Sequence, residues 1–183
     1  LLSSAILAAA LTGSAVAEQP GAERITFERT QLDSKFRAEG VAVADLTGDG
    51  KADLAAGSVY YAAPDWKMIP FQDAPKSFEP KRYSNVFACF AQDINRDGRP
   101  DSIQVDFPGK QTWWYENPGK PDVAWKQHMA VRVTNNETPL WADLDGDGLG
   151  ELIFGTSPEP KKPDGPERYM AWSEPGDDPA KPW

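Results

Sequence analysis

The sequence predicts an all-β fold, a partial β-propeller of four-stranded blades with Asp-rich calcium loops between strands. Three observations carry this. A nine-residue loop pattern occurs at 45–53, 93–101 and 143–151, with first residues 48 and then 50 apart. A period near 50 residues belongs to propellers, solenoids or arrays. The loops are flanked by short apolar or alternating runs bounded by Gly and Asp, the pattern of strands rather than helices. The stretch from one loop to the next has room for about three further strands, and four strands per unit is the blade of a propeller.

The elements follow in order. GVAVA (40–44) leads into the first loop, FACFAQ (87–92) into the second and PLWA (139–142) into the third. LAAG, SIQVDF and LIFGT follow the loops, so each loop is expected to be the turn of a β-hairpin. Further strands of the first unit are expected at 53–60, Trp66–Phe71 and Phe78–Tyr83. The second unit repeats the plan with Ser102–Phe107, Gln111–Glu116 and Trp125–Val131, and the third offers Glu151–Thr156 and Tyr169–Ser173. Residues 24–32 are expected as an outermost strand arriving before its own blade. Thr30 precedes Asp45 by 15 residues, as His128 precedes Asp143, and FERTQL resembles WKQHMA. In a closed propeller such a strand completes the last blade.

The loops carry the chemistry. Each has oxygen-bearing side chains at positions 1, 3, 5 and 9, Gly at position 6, and a position 7 whose backbone carbonyl any residue supplies. That donor set suits a hard cation with six to eight oxygen ligands, which points to Ca²⁺. Gly at position 6 permits a turn that a Cβ would resist. An EF-hand would close its shell with a carboxylate at position 12, but Ala56, Gln104 and Phe154 stand there. Ordinary metal-free Asp-Gly turns would explain one such loop. They do not explain ten carboxylates at matching offsets, which would repel one another without a cation.

This unit, an apolar strand, Asp-x-(Asp/Asn/Thr)-x-Asp-Gly-x-x-(Asp/Glu) and an apolar strand ending in Gly, resembles the FG-GAP/VCBS repeat. Such repeats form the calcium-tied propeller also found at the head of integrin α subunits. WWYENPGK (113–120) followed by WKQH (125–128) is similar to bacterial secreted proteins of this type. The resemblance covers about residues 24–183. It implies about one Ca²⁺ per loop, with ligands carried over by position. They are Asp45, Thr47, Asp49, the Lys51 carbonyl and Asp53 in the first loop, and Asp93, Asn95, Asp97, the Arg99 carbonyl and Asp101 in the second. The third set is Asp143, Asp145, Asp147, the Leu149 carbonyl and Glu151. Thr47 is neutral and Glu151 is longer than the usual Asp. The first site, with fewer carboxylates, is expected to bind more weakly than the third. Family propellers commonly use seven blades, roughly 350 residues at this period, so the chain is expected to be a fragment truncated at both ends.

Residues 1–17 carry no charge and end in Ala15-Val-Ala17, an A-x-A cleavage site. They are expected to be the end of a secretory signal, with 18–183 as the propeller fragment. A membrane anchor is the alternative, but the apolar run is short and interrupted for a span. Export to the periplasm, cell surface or medium would place the loops where Ca²⁺ is abundant. Cys89 is the only cysteine, so no internal disulfide is available, and it is expected as a small buried residue. Ten of the 28 acids lie in the loops, and three divalent cations would move the formal charge from −9 to −3. The acidity argues against nucleic acid as a partner.

His128 is the only histidine, which excludes a His-rich zinc site. It is expected to pack between blades rather than to catalyse. Trp113 and Tyr115 are expected on one strand face and Trp114 on the other. Inter-blade core is the expected role of these rings, and exposed faces stacking on sugars is the alternative. No phosphate loop, Cys pair or nucleophile elbow occurs. Asn136-Glu-Thr138 matches a glycosylation sequon of little weight in a bacterial protein, and the Pro-rich stretches 158–166 and 175–182 are expected as surface loops. The expected function is recognition of an extracellular protein or glycan, with structural metal and no catalysis by this chain. The alternative is part of a propeller enzyme acting on polysaccharide or sugar, with its active site elsewhere.

Overall fold

A computed structural model describes residues 25–157 and 168–183. The signal segment and the loop at 158–166 lie outside these residues, apart from which the Pro-rich 175–182 is irregular. Two compact units are distinguished, Leu1–Thr30 and Gln31–Trp183. The described residues of the first carry no regular structure. The eleven strands of the described residues lie in the second unit, in three antiparallel sheets. The first sheet is β1 (Ala42–Ala44), β2 (Asp53–Ala56), β3 (Val59–Ala62) and β4 (Lys67–Pro70), in chain order. The second is β5 (Ala88–Gln92), β6 (Asp101–Val105), β7 (Lys110–Glu116) and β8 (Lys126–Thr134), again in order. The third has β9 (Leu140–Ala142), β10 (Glu151–Thr156) and β11 (Tyr169–Ser173). Among the described residues no helix is long and apolar enough to cross a membrane.

Each Asp-rich loop joins the first two strands of its sheet, as the flanking patterns predict. Three expectations need correction. The run 53–60 is two strands, because Gly57 reverses the chain at φ +61°. A side chain there would be strained, and its Cβ would lie 2.6 Å from the Arg37 carbonyl oxygen. Phe78–Tyr83 forms no strand, only a bridge from Phe78 to Phe36. The outer edge of the first sheet is already held by β4, Pro80 lacks an N–H for a ladder, and the Arg82 N–H turns back to the Glu79 carbonyl. Residues 25–32 likewise form no strand.

One cross-strand row recurs in all three sheets, and it explains how they stack. Ala42, Ala55 and Tyr60 form it in the first, and Phe90, Ile103 and Trp114 in the second. The first row packs against the second sheet, where Cys89 and Tyr115 meet it. The second packs against Leu152 and Phe154 of the third. Burying a side chain such as Ile103 contributes about 1.5–3 kcal/mol. Trp114 is therefore core on one face while Trp113 and Tyr115 pack on the other, as expected of inter-sheet rings. Trp125 closes the first interface by stacking 4.6 Å from Phe71. The equivalent row of the third sheet, Leu140, Ile153 and Trp172, leaves Leu140 and Trp172 more than half exposed.

Burial pushes the Cys89 thiol up to about 11, so it is an inert core residue. His128 is buried, stacked 4.3 Å from Trp114, with Nε2 2.9 Å from Glu116 Oε2.

Candidate metal centres

The three loops share one hydrogen-bond scheme. The position-1 carboxylate accepts the N–H of position 6 in each: Gly50 to Asp45 Oδ2 at 2.8 Å, Gly98 to Asp93 at 2.7 Å, Gly148 to Asp143 at 3.1 Å. The position-5 Asp accepts the N–H of position 7: Lys51 to Asp49, Arg99 to Asp97 and Leu149 to Asp147. These bonds curl the backbone of each turn round its position-1 carboxylate. Gly at position 6 has φ between +84° and +90° in all three loops. Position 4 is also left-handed, as Gly48, Arg96 (φ +59°) and Gly146. Arg96 is the non-glycine exception, a strained choice the sequence pattern does not announce.

Position 9 separates the loops. Asp53, Asp101 and Glu151 are all fully buried, and each accepts the N–H of position 2, from Leu46 (2.9 Å), Ile94 (3.0 Å) and Leu144 (2.6 Å). The second oxygen of Asp53 accepts the Ala63 N–H at 2.9 Å, and that of Asp101 the Asn117 N–H at 2.7 Å. Both donors stand one residue beyond the position opposite the acid in the neighbouring strand. In the third sheet Leu152 pairs with Ser173, so the equivalent residue is Pro175, which has no N–H. Glu151 Oε1 is accordingly buried with no hydrogen-bond partner. A buried carboxylate oxygen left so is costly unless a cation meets it.

The charges divide the loops in the same way. In the first loop Lys51 Nζ lies 2.8 Å from Asp49 Oδ2, and that bond holds Asp49 below the usual carboxylate range. In the second, Arg99 Nη2 lies 2.5 Å from Asp97 Oδ2. Position 7 thus carries a counter-charge in these two loops, which the ligand pattern alone does not reveal. The third loop has Leu149 there, and among the described residues only Arg96 of the neighbouring sheet approaches, 3.6 Å from Asp147. Carboxylate oxygens of Asp143, Asp145, Asp147 and Glu151 all lie within 4.8 Å of one another. Among the described residues no other set of three or more acids, His or Cys converges this way.

The donor set of the third loop fits a hard divalent cation: four carboxylates, no internal counter-charge, and one buried oxygen lacking a partner. In the first loop Asp45, Thr47, Asp49 and Asp53 line the turn, but Asp53 is committed to three N–H donors. In the second, Asn95 Nδ2 points to Asp97 at 3.2 Å, and burial pushes Asp101 up to about 7 against the bonds from Asn117 and Ile94.

Asn117 is a structural residue that the sequence pattern does not single out. Its buried Nδ2 donates to the Leu46 carbonyl of the first loop at 2.9 Å and to the Pro100 carbonyl of the second at 3.0 Å. It ties two Asp-rich loops of neighbouring sheets together. The Asn-Pro-Gly that follows β7 was its only sequence signal.

No curated protein matches the chain. A family model described as the FG-GAP-like repeat matches residues 93–154, from the first acid of the second loop to Phe154 in β10. The match takes in the second and third Asp-rich loops and the strands β6 to β9 between them, so the chain carries an FG-GAP-like repeat.

Proposed function

We propose that this chain is a calcium-tied β-propeller module, exported from the cell and used there to recognise a protein or glycan. The observation that carries the metal role is the third loop, where four carboxylates converge and the buried Glu151 Oε1 lacks a hydrogen bond. A Ca²⁺ there would be held by Asp143, Asp145, Asp147, Glu151 and the Leu149 carbonyl. Its contribution is charge neutralisation and the fixing of a hairpin end. The first two loops, already partly neutralised by Lys51 and Arg99, bind more weakly or serve as plain clasps.

The propeller reading is supported by the exposed row Leu140, Ile153 and Trp172. Its equivalents in the first two sheets are covered by the sheet that follows, so this row is a seat for a further blade. The export route rests on the uncharged stretch 1–17 ending in Ala15-Val-Ala17, and the recognition role on the resemblance to secreted calcium-tied propellers.

The test is a calcium titration of the chain by calorimetry, with melting curves in Ca²⁺ and in EDTA. One dominant site and a raised melting temperature are expected. No heat and no shift would remove calcium from the reading.

A further inference from the structure

The end of the second sheet opposite its Asp-rich loop carries three aromatic rings. Phe87 stands just before β5 and Phe107 in the turn after β6, and Tyr83 reaches both from the connection after the first sheet. Phe87 and Phe107 meet edge to face at 5.2 Å, and Tyr83 lies 5.8 Å from Phe107 and 5.4 Å from Phe87. These contacts fix the rings, yet Tyr83 is 65% exposed and Phe107 43%. Together with Lys81 and Arg82 they line an open cleft of about 660 Å³. Apolar groups clustered and left exposed on a surface often mark an interaction site.

The charged residues of the cleft lining are Lys81 and Arg82, and the exposed Glu79 stands just outside it. The chain carries a formal −9, and ten of its acids lie on the Asp-rich loops. Lys81 and Arg82 are exposed and make no side-chain hydrogen bond or ion pair among the described residues. Lys76 and Lys110 both act on Asp106, the acid next to Phe107. The acid nearest Ser84, Glu39, is already engaged by the Ser84 N–H at 2.9 Å and by its hydroxyl. Two uncommitted cations beside two fixed rings match a ligand that is anionic and has flat C–H faces. Aromatic rings take such faces by stacking, and Arg and Lys take the anionic groups.

We propose that this cleft binds an acidic oligosaccharide, one sugar ring lying on the exposed Tyr83 with Phe107 set against it at 64°, and its carboxylate or sulfate groups paired with Lys81 and Arg82. A lipid surface would share the charge preference. The locked rings, gathered at one spot beside two cations, favour a ring-sized ligand over a bilayer. The proposal deepens the recognition role proposed above and rests on it.

The experiment uses the whole chain, in Ca²⁺ and in EDTA, with trigalacturonate, a sulfated trisaccharide, neutral maltotriose and anionic phospholipid vesicles as probes. Binding of an acidic trisaccharide, weakened by salt and at least about tenfold tighter than maltotriose, is expected. The Lys81→Gln/Arg82→Gln double variant should lose about tenfold in affinity with an unchanged melting temperature, and Tyr83→Ala should lose as much. The ratio between the two acidic sugars assigns the anionic group. Equal binding of maltotriose, full affinity in the double variant, vesicle binding without sugar binding, or no binding at all overturns the proposal. A Ca²⁺-raised melting temperature without sugar binding would sink this inference and leave the metal reading standing. Sugar binding with no Ca²⁺ effect would do the reverse.

Discussion

Replacing Glu151 with Gln should stabilise the metal-free chain and weaken its response to calcium. The wild-type carboxylate is fully buried, gives one oxygen to the Leu144 N–H at 2.6 Å, and leaves Oε1 without a partner. A buried unsatisfied polar atom costs about 1–3 kcal/mol, and more when it is charged. Gln keeps an oxygen for Leu144 and brings an amide N–H toward the carboxylates of Asp143, Asp145 and Asp147, which lie within 4.8 Å. In EDTA the variant should therefore gain about 1–3 kcal/mol, roughly 2–12 °C in melting temperature for a chain of this size. Calcium reverses the order. With a Kd of about 10⁻⁴ M, wild type gains about 2.7 kcal/mol in about 10 mM Ca²⁺, while Gln removes a charged ligand and shrinks that gain. Differential scanning calorimetry of both proteins, with and without Ca²⁺, reads all four states. A Glu151→Gln protein that melts below wild type in EDTA would refute the reasoning, because the orphaned oxygen would then not be a cost.

Asn117→Ala should destabilise the chain by about 2–4 kcal/mol in urea unfolding, because it strands the buried Leu46 carbonyl and the part-buried Pro100 carbonyl. A loss under about 1 kcal/mol would mean that those carbonyls find water. Acid should act through Asp33 as well as through the loops. Burial raises its pKa, but the bonds from Arg37, the Lys35 N–H and the Tyr61 hydroxyl outweigh this and hold it at about 2. An unfolded Asp titrates near ~3.9, so the folded value is the lower one. The stabilisation is full above about pH 4 and is lost as pH falls toward about 2. In EDTA, the melting gap between wild type and Asp33→Asn should be present near about pH 6 and close by about pH 2. A gap of constant size across that range would exclude this assignment.

The Asp-rich hairpins were legible because their determinants are contiguous. Nine residues hold the acids, the left-handed glycine and both strand ends, and the N–H bonds to Asp45, Asp93 and Asp143 close within five residues. The strands of the second sheet were legible for a related reason, since each apolar run there becomes one element. Where a run did not correspond to a strand, the cause lay elsewhere in the chain. Phe78–Tyr83 has an extended pattern, but β4 already holds the edge it would need. Residues 53–60 form one apolar run, and a single φ at Gly57 makes it two strands.

The sequence by itself determined the all-β class, the repeat, and the positions of the acids. Backbone turns and side-chain alternation are local properties, and local chemistry is written in adjacent residues. Only the tertiary structure decided which loop gathers its carboxylates. That depends on Pro175 standing, across a sheet, where Ala63 and Asn117 stand in the others, and on which cations reach Asp49, Asp97 and Asp147. It likewise brought Tyr83, Phe87 and Phe107 into one cluster from three separate segments. Pairing across strands and competition for charge depend on which surfaces meet, and those meetings are set by the packing of whole sheets.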